Sequence, residues 1–455
     1  MPVELNTPIT EGGVQNIYFF NGRILTAEDL QDEQYANLLH NWQFGRSIGE
    51  GVLSGLEVTL ESSGSTSEFP VLSIAKGIAL NRNGQVMELP IPISLKIGRD
   101  IEISPGSDST FTPCQMVEPS MTPTGTGAYI LVISPASAYK GDAPRHRLQD
   151  DGKVTGCDHR YSVDGVQFKL IYMDLSNENI VRGAIGSNIQ MELANTGTTS
   201  RSKLRNLLAH LCLGTQDAQS FTTDLFNISG TTALTSQYGP LDTLRTSGCL
   251  KSSDVPLALL LWSIEGLEFI DMWSVRRRVH IQADYPRQPF PVFPNDPRTA
   301  QLEATYLQFQ EHIKLLFKPF LEQGAEVSID AKDYFYYLPS AGMIPLLPGE
   351  YENESSGSVF FSSMEFSPPI FMEGRLLRNL IQLSFSYEPI ELQKNEFIRL
   401  YYVRENMQSL NNNPGKGVKP YLVFSAGYLP FMGNPLYDLS RFDYSNYGDG
   451  GNIII

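Results

Sequence analysis

The sequence predicts an α+β protein: a β-rich N-terminal module with one long helix, a proline-rich linker, and a C-terminal domain of helix plus antiparallel sheet. Three observations predict it. Short alternating or apolar runs bounded by Gly, Pro, Asn and Ser recur from Leu56 to Trp273. Tyr285 to Pro297 carries five prolines in thirteen residues and reads as a stiff, extended connector. Beyond it, Leu302, Tyr306, Phe309, Ile313, Leu316, Phe317 and Phe320 form a wide helical stripe, with strand-like runs following. At 455 residues the chain exceeds one ordinary core. The division expected is 1–284, 285–298 and 299–455.

In order along the chain, the aromatic strand Ile17 to Phe20 runs into Asn21-Gly22, a tight-turn pair. Thr26 stands three residues before Asp29, ahead of an apolar-periodic run, which marks a capped helix start with Glu28 and Asp29 at the positive end of the dipole. That helix, Ala27 to about Phe44, places Tyr35, Leu38, Leu39 and Trp42 on one face, and Gly49 and Gly51 end it. Leu56, Val58 and Leu60 alternate with Glu57, Thr59 and Glu61 as a half-buried strand. Val71 to Leu80 and Gln85 to Leu89 flank Asn83-Gly84 as a hairpin. Ile91 to Ile103, Ala128 to Ser134 and Val166 to Leu175 are further strands. The polar stretches Ser104 to Gly127 and Pro135 to Asp164 read as long loops, expected to be inter-subunit or insertion elements. Ser200 to Leu213 is an amphipathic helix, and Val255 to Trp262 and Leu267 to Trp273 are buried strands. After the linker come a helix from Thr299 to about Glu322, a second from Met372 to about Gln382, and strands at Val359 to Phe361, Phe397 to Val403 and Tyr421 to Phe424. The tail from Phe442 alternates Tyr, Asn, Gly and Asp before ending in Ile453, Ile454 and Ile455, an apolar end that calls for a docking groove.

A net charge of −16 opposes nucleic-acid binding, which needs clustered Lys and Arg. The first sixty residues hold eight acidic and two basic side chains, a solvated acidic face or one matched to a basic partner. The four cysteines, Cys114, Cys157, Cys212 and Cys249, are far apart with no CxxC pair, so free thiols are expected. Met1 to Leu5 lacks the pattern of a secretory signal, and the longest apolar stretch, Val255 to Trp262, is far too short for a membrane span. Synthesis as a soluble cytoplasmic protein is the expectation.

No arrangement of residues points to catalysis. Cys157-Asp158-His159, with Cys114 and His146, has metal-ligand residue types without the paired spacing of a zinc site, so no metal is expected. No HExxH, G-x-S-x-G or phosphate-loop motif occurs; Pro414-Gly415-Lys416-Gly417 reads as a turn. Ser200-Arg201-Ser202-Lys203 has a serine–lysine spacing common by chance, and Asp443 to Asn452 lacks the calcium-loop pattern. Dense aromatics, as in Tyr334-Phe335-Tyr336-Tyr337 and Tyr401-Tyr402, are expected to be core.

The opening Phe20-Asn21-Gly22-Arg23-Ile24-Leu25-Thr26-Ala27-Glu28-Asp29-Leu30, followed by Glu33-Gln34-Tyr35, resembles the N-terminal signature of baseplate-associated proteins of phage-tail-like contractile injection systems. Gly51 to Val58 is similar to a strand of that family, although Ser47-Ile48-Gly49-Glu50 departs from the His-Gly-x-Gly that usually precedes it. His40-Asn41, Ile78 to Gly84, Asp254 to Ala258, Arg276 to Val279 and Tyr337 to Gly342 are similar to shorter family segments. The resemblance implies a structural subunit, neither an enzyme nor a cofactor carrier. It would assemble with baseplate, spike or cage, or cap proteins and with copies of itself, in a particle anchored to a membrane or released. Asn21, Gly22, Arg23, Thr26, Glu28 and Asp29 are expected to form a structural hinge, with Arg23 paired to Glu57. Arg276, Arg277 and Arg278, and the terminal isoleucines, are expected at interfaces. Two other classes stand beside this one: a tail-fibre or adhesin-like receptor- or glycan-binding module with exposed aromatic clusters and a trimeric C-terminal half, and a cell-wall hydrolase with a cleft holding two carboxylates or a metal.

Overall fold

The computed structural model describes residue 8 and residues 10–61, 70–97, 127–145, 156–178, 180–181, 183–215, 239–279, 297–323, 329–346, 359–413 and 415–431. Most of the loop from Ser104, the linker up to Asp296, Cys114, His146, the glycine-rich tail and Ile453 to Ile455 lie outside the described residues, as do the side chains of Cys157 and Asp158. The architecture is α+β.

Helix α1 spans Ala27–Ile48 and ends at Gly49, whose φ of 101° no ordinary side chain adopts easily. Six short strands follow: β1 (Gly51–Gly55), β2 (Val58–Leu60), β3 (Val71–Ile74), β4 (Gly77–Leu80), β5 (Val86–Leu89) and β6 (Ile93–Lys96). They form two antiparallel three-stranded sheets, ordered β1-β4-β5 and β2-β3-β6. The single strand expected from Val71 to Leu80 is therefore two, because the chain changes sheets at Ala75-Lys76. Backbone crowding fixes that crossover: a Cβ on Gly55 would lie 1.9 Å from the Lys76 carbonyl oxygen.

The central sheet is ordered β10-β9-β7-β8, from β7 (Gly127–Arg145), β8 (Gly156–Met173), β9 (Val255–Ser263) and β10 (Gly266–Asp271), all antiparallel. Helices α2 (Gly183–Leu193), α3 (Thr198–Cys212) and α4 (Gly239–Thr246) lie between β8 and β9 in sequence. On one face of the sheet Ile130, Val132 and Leu259 pack with Leu204, Leu207 and Leu208 of α3. On the other, Leu131, Ile133 and Leu260 pack with Val58, Leu72 and Ile74 of the small sheets. Burial on both faces is why Val255 to Trp262 reads as an unbroken apolar run. The expected loop from Pro135 to Asp164 is corrected at both ends, since β7 and β8 continue through it as a paired ribbon. Its residues carry no alternating pattern because neither face is buried.

The C-terminal part begins with α5 (Pro297–Gln323) and α6 (Ala331–Tyr334). Then come β11 (Tyr337–Leu338), β12 (Ala341–Pro345), β13 (Ile370–Met372), α7 (Gly374–Ser384), β14 (Ile390–Glu391), β15 (Ile398–Val403), α8 (Arg404–Asn412) and β16 (Tyr421–Ala426). Its main sheet is ordered β12-β16-β15-β13, antiparallel except for the β13–β15 pair. Phe309, Ile313 and Phe317 of α5 and Leu376 and Leu380 of α7 enclose its core. Val359 to Phe361 is a turn and not the expected strand, with Phe360 and Phe361 buried. Met372 closes β13 instead of opening the following helix.

Backbone contact holds the end of α1 on the β4–β5 turn. A Cβ on Gly45 would sit 2.1 Å from the Gly84 carbonyl oxygen, and one on Gly84 1.9 Å from that of Trp42. Glycine to alanine in a helix ordinarily stabilises by about 1 kcal/mol. Here Gly45→Ala is expected to destabilise by about 1–3 kcal/mol by forcing the two elements apart, read as a lower urea midpoint and earlier proteolysis within α1.

Candidate interaction site

The residues from Tyr18 to Asp29 build one clasp. Phe20-Asn21-Gly22-Arg23 is a tight turn closed by the Arg23 amide on the Phe20 carbonyl at 3.2 Å, with Gly22 at φ 93°. Beyond the turn, Arg23 faces back: Nη1 donates to the Tyr18 carbonyl at 2.8 Å and Nη2 to Asp29 Oδ1 at 2.5 Å. Asp29 Oδ2 accepts from the Thr26 amide at 2.9 Å, and the Asp29 amide donates to Thr26 Oγ1 at 3.2 Å, completing a capping box. The Thr26 amide and hydroxyl, with Arg23, hold the Asp29 carboxyl below the usual carboxylate range. Asn21 and Glu28 are exposed. The expected partner of Arg23 was Glu57; Asp29 takes that place, because the box already points a carboxylate at the turn.

The clasp and α1 present apolar side chains that no described residue buries. Ile24 is 85% exposed, Tyr18 79% and Phe44 71%, and Phe19, Phe20, Leu25, Leu30, Tyr35 and Leu38 are exposed too. Of the four residues expected on one helical face, Leu39 and Trp42 are half-buried, while Leu38 and Tyr35 are exposed, Tyr35 lying edge-on to Trp42 at 6.4 Å. Only Ala36 and Gly45 of α1 are buried. The aromatic runs expected in the core are largely there: Phe335, Tyr336, Tyr337 and Tyr401 are buried.

Two of the three clustered arginines turn inward, contrary to the expectation of an interface. Arg276 Nη1 donates to the Leu56 carbonyl at 2.8 Å, and Nη2 to that of Gly55. Arg277 donates to the carbonyls of Trp273, Ser274, Arg276 and Cys212. Burial lowers each guanidinium to about 10. Arg278 alone is exposed, 3.6 Å from Glu303. The same segment pairs with β1 through the Val52 amide on the Arg277 carbonyl and the Val279 amide on the Val52 carbonyl. Beside it lies a cavity of about 310 Å³ walled in part by Arg82, Glu50, Asp242 and Arg245. Glu50 bridges Arg82 at 2.8 Å and Arg245 at 3.0 Å, so this is an ion-pair network joining three elements.

A buried polar seam, which the sequence did not announce, joins the parts on either side of the linker. Asp271 is fully buried and accepts from Arg205 Nε at 2.7 Å, Gln308 Nε2 at 2.9 Å, and the amide and hydroxyl of Ser274. Burial raises its carboxyl, but Arg205 and these donors outweigh that and hold it below the usual range. Asn206 Oδ1 accepts the amides of Tyr336 and Tyr337. Ser202 donates to the Tyr334 carbonyl, so its bond to His312 Nε2 at 2.9 Å takes the proton from the imidazole. Among the described residues His312 Nδ1 has no partner, and the ring is buried. Lys203 of the serine–lysine spacing stands over the Tyr336 ring.

Among the described residues no group of three or more His, Cys, Asp or Glu gathers to hold a metal, and no helix is long and apolar enough to cross a membrane. No protein-family model and no curated protein matches this chain.

Asp271→Asn strands the buried Arg205 charge, and a loss of about 3–5 kcal/mol in urea unfolding is expected. The buried histidines give a pH dependence. Burial takes His210 down to about 3 and His312 well below its ordinary value. Unfolded histidines titrate near 6.5, so the unfolded state alone takes up these protons as pH falls. Stability is full above about pH 6.5 and falls below it by about 1.4 kcal/mol per pH unit for each histidine. Urea midpoints from about pH 7.5 to about pH 5 check this, with His312→Gln removing roughly half the slope.

Proposed function

We propose that this chain is a non-enzymatic structural subunit of a phage-tail-like contractile injection system, built into the particle through its N-terminal strand, turn and helix. The observation that carries this reading is the set of exposed apolar side chains on the clasp and along α1 beyond it, Tyr18 to Phe20, Ile24, Leu25, Leu30, Tyr35 and Phe44, which no described part of the chain buries. A surface of this kind marks a binding site for another protein. It lies on the segment that resembles the family signature. The partners this implies are baseplate, spike or cage, or cap proteins, with the chain made in the cytoplasm and carried in the particle.

The adhesin-like reading draws on the exposed Phe371, Phe397 and Tyr428, but the run Phe335 to Tyr337 is buried.

Tagging the chain in its native host and isolating it under mild conditions tests the proposal. Sheath and tube proteins are expected to co-purify in fixed ratio. The double variant Tyr18→Asp/Phe44→Asp is expected to keep its circular dichroism spectrum and lose the particle. Recovery of the unaltered chain free of sheath and tube overturns the proposal.

A further inference from the structure

The β7–β8 hairpin runs far past the sheet it belongs to. β9 pairs with β7 only from Gly127 to Ile133, opposite Trp262 to Val255, whereas β7 and β8 stay paired to Arg145 and Gly156. Beyond Ile133 the chain is a two-stranded ribbon, with Tyr139, Lys140, Arg160, Tyr161, Ser162 and Asp164 exposed. A lone two-stranded ribbon is marginal in water, and its open edges are templates for further pairing. β8 is the edge strand of its sheet over its whole length, and among the described residues no strand pairs with its outer side.

That edge is complementary to itself. The run His159-Arg160-Tyr161-Ser162-Val163-Asp164-Gly165, laid antiparallel on a second copy with Ser162 on a two-fold axis, sets Arg160 opposite Asp164 and Tyr161 opposite Val163. Both charges are matched twice over, and both aromatic–aliphatic pairs form, the cross-strand combinations that stabilise a sheet. Within one chain neither Arg160 nor Asp164 makes an ion pair with a described residue, and the Arg160 guanidinium rests over the Tyr161 ring. The other edge of the ribbon is unsuited, because Pro135 lacks an amide donor and Gly141 at φ 71° interrupts the strand. Ser162 pairs with Tyr139, about 20 Å along the strand from Ile133, which leaves room for two bodies on opposite sides of the axis.

We propose that two copies of this chain associate through the outer edges of their β8 strands, antiparallel and centred on Ser162, so that two four-stranded sheets become one continuous sheet. This pairing does not depend on the injection-system reading, since it is measured on the isolated protein.

In the full chain with Cys114, Cys157 and Cys249 each replaced by serine, Ser162→Cys places a thiol opposite itself across the axis. Oxidation is expected to give a covalent dimer at least about tenfold faster than Ser176→Cys, a loop control, with mass spectrometry finding the disulfide-linked peptide that joins position 162 of one copy to position 162 of the other. Sedimentation of the unaltered chain at about 100 µM should give twice the chain mass. Arg160→Asp should weaken association at least about tenfold, and Arg160→Asp/Asp164→Arg should restore it by reversing both charges. These positions lie outside the core, and circular dichroism checks that each variant is folded. A monomer at that concentration overturns the proposal. So does a dimer indifferent to Arg160→Asp, or crosslinking at Ser162 no faster than at Ser176.

Discussion

The segment from Asp271 to Val279 is the constraint on which the rest of the molecule depends. Within it, Asp271 gathers α3 and α5 through Arg205 and Gln308. Arg276 reaches 220 positions back along the chain to the Leu56 carbonyl and so fixes the corner between the two small sheets. Leu56 is held there at φ 58°, a conformation its branched side chain disfavours and the guanidinium helps to maintain. Arg277 takes the Cys212 carbonyl near the end of α3, and Val279 pairs with Val52. An apolar segment would satisfy none of these carbonyls. A buried ion pair of this kind adds little net stability over a hydrophobic replacement, but it tolerates only one arrangement of its partners. Its contribution is the relative position of three layers.

Charge and apolar surface are distributed here against the usual order. Asp271, Arg205 and Arg276 are inside, whereas Tyr18, Ile24 and Phe44 face water. The inward charges explain themselves by their hydrogen bonds. The outward side chains have no such account among the described residues, and the Arg23 bonds to Asp29 and the Tyr18 carbonyl fix the turn between Tyr18 and the start of α1. Presentation of a preformed surface lowers the ordering cost of binding.

How much of this was legible follows from where each signal sits. The Thr26–Asp29 cap, the hairpin at Asn83-Gly84, α3 and the apolar run of β9 each depend on neighbours in sequence, and each was readable. The split between β3 and β4 was not, because it is imposed by Gly55 and Lys76 meeting across a gap in the chain. The outer halves of β7 and β8 bury neither face, so no alternation marked them. Arg205, Asn206 and His210 are polar positions among the leucines of α3, and nothing in their spacing signals burial. Their burial comes from Asp271, Tyr336 and Tyr337, which sequence spacing does not bring near. The Arg23–Asp29 pair is hidden for the opposite reason: Asp29 has an evident role in the cap, and one carboxylate does both jobs through its two oxygens.

The central sheet also dictates an order of events during synthesis. β7 and β8 are consecutive strands, but the strand that must lie on the other side of β7 is β9, delivered only after the described helices α2, α3 and α4 have been made. Contacts that span so much chain form late, and intermediates lacking them expose apolar surface. The small sheets, whose core includes Leu257 and Leu260 of β9, wait for the same strand. The N-terminal clasp needs only local bonds and can form as soon as it leaves the ribosome. Its exposed apolar side chains are thus displayed before the body that carries them is complete, while the core of that body is still unfinished.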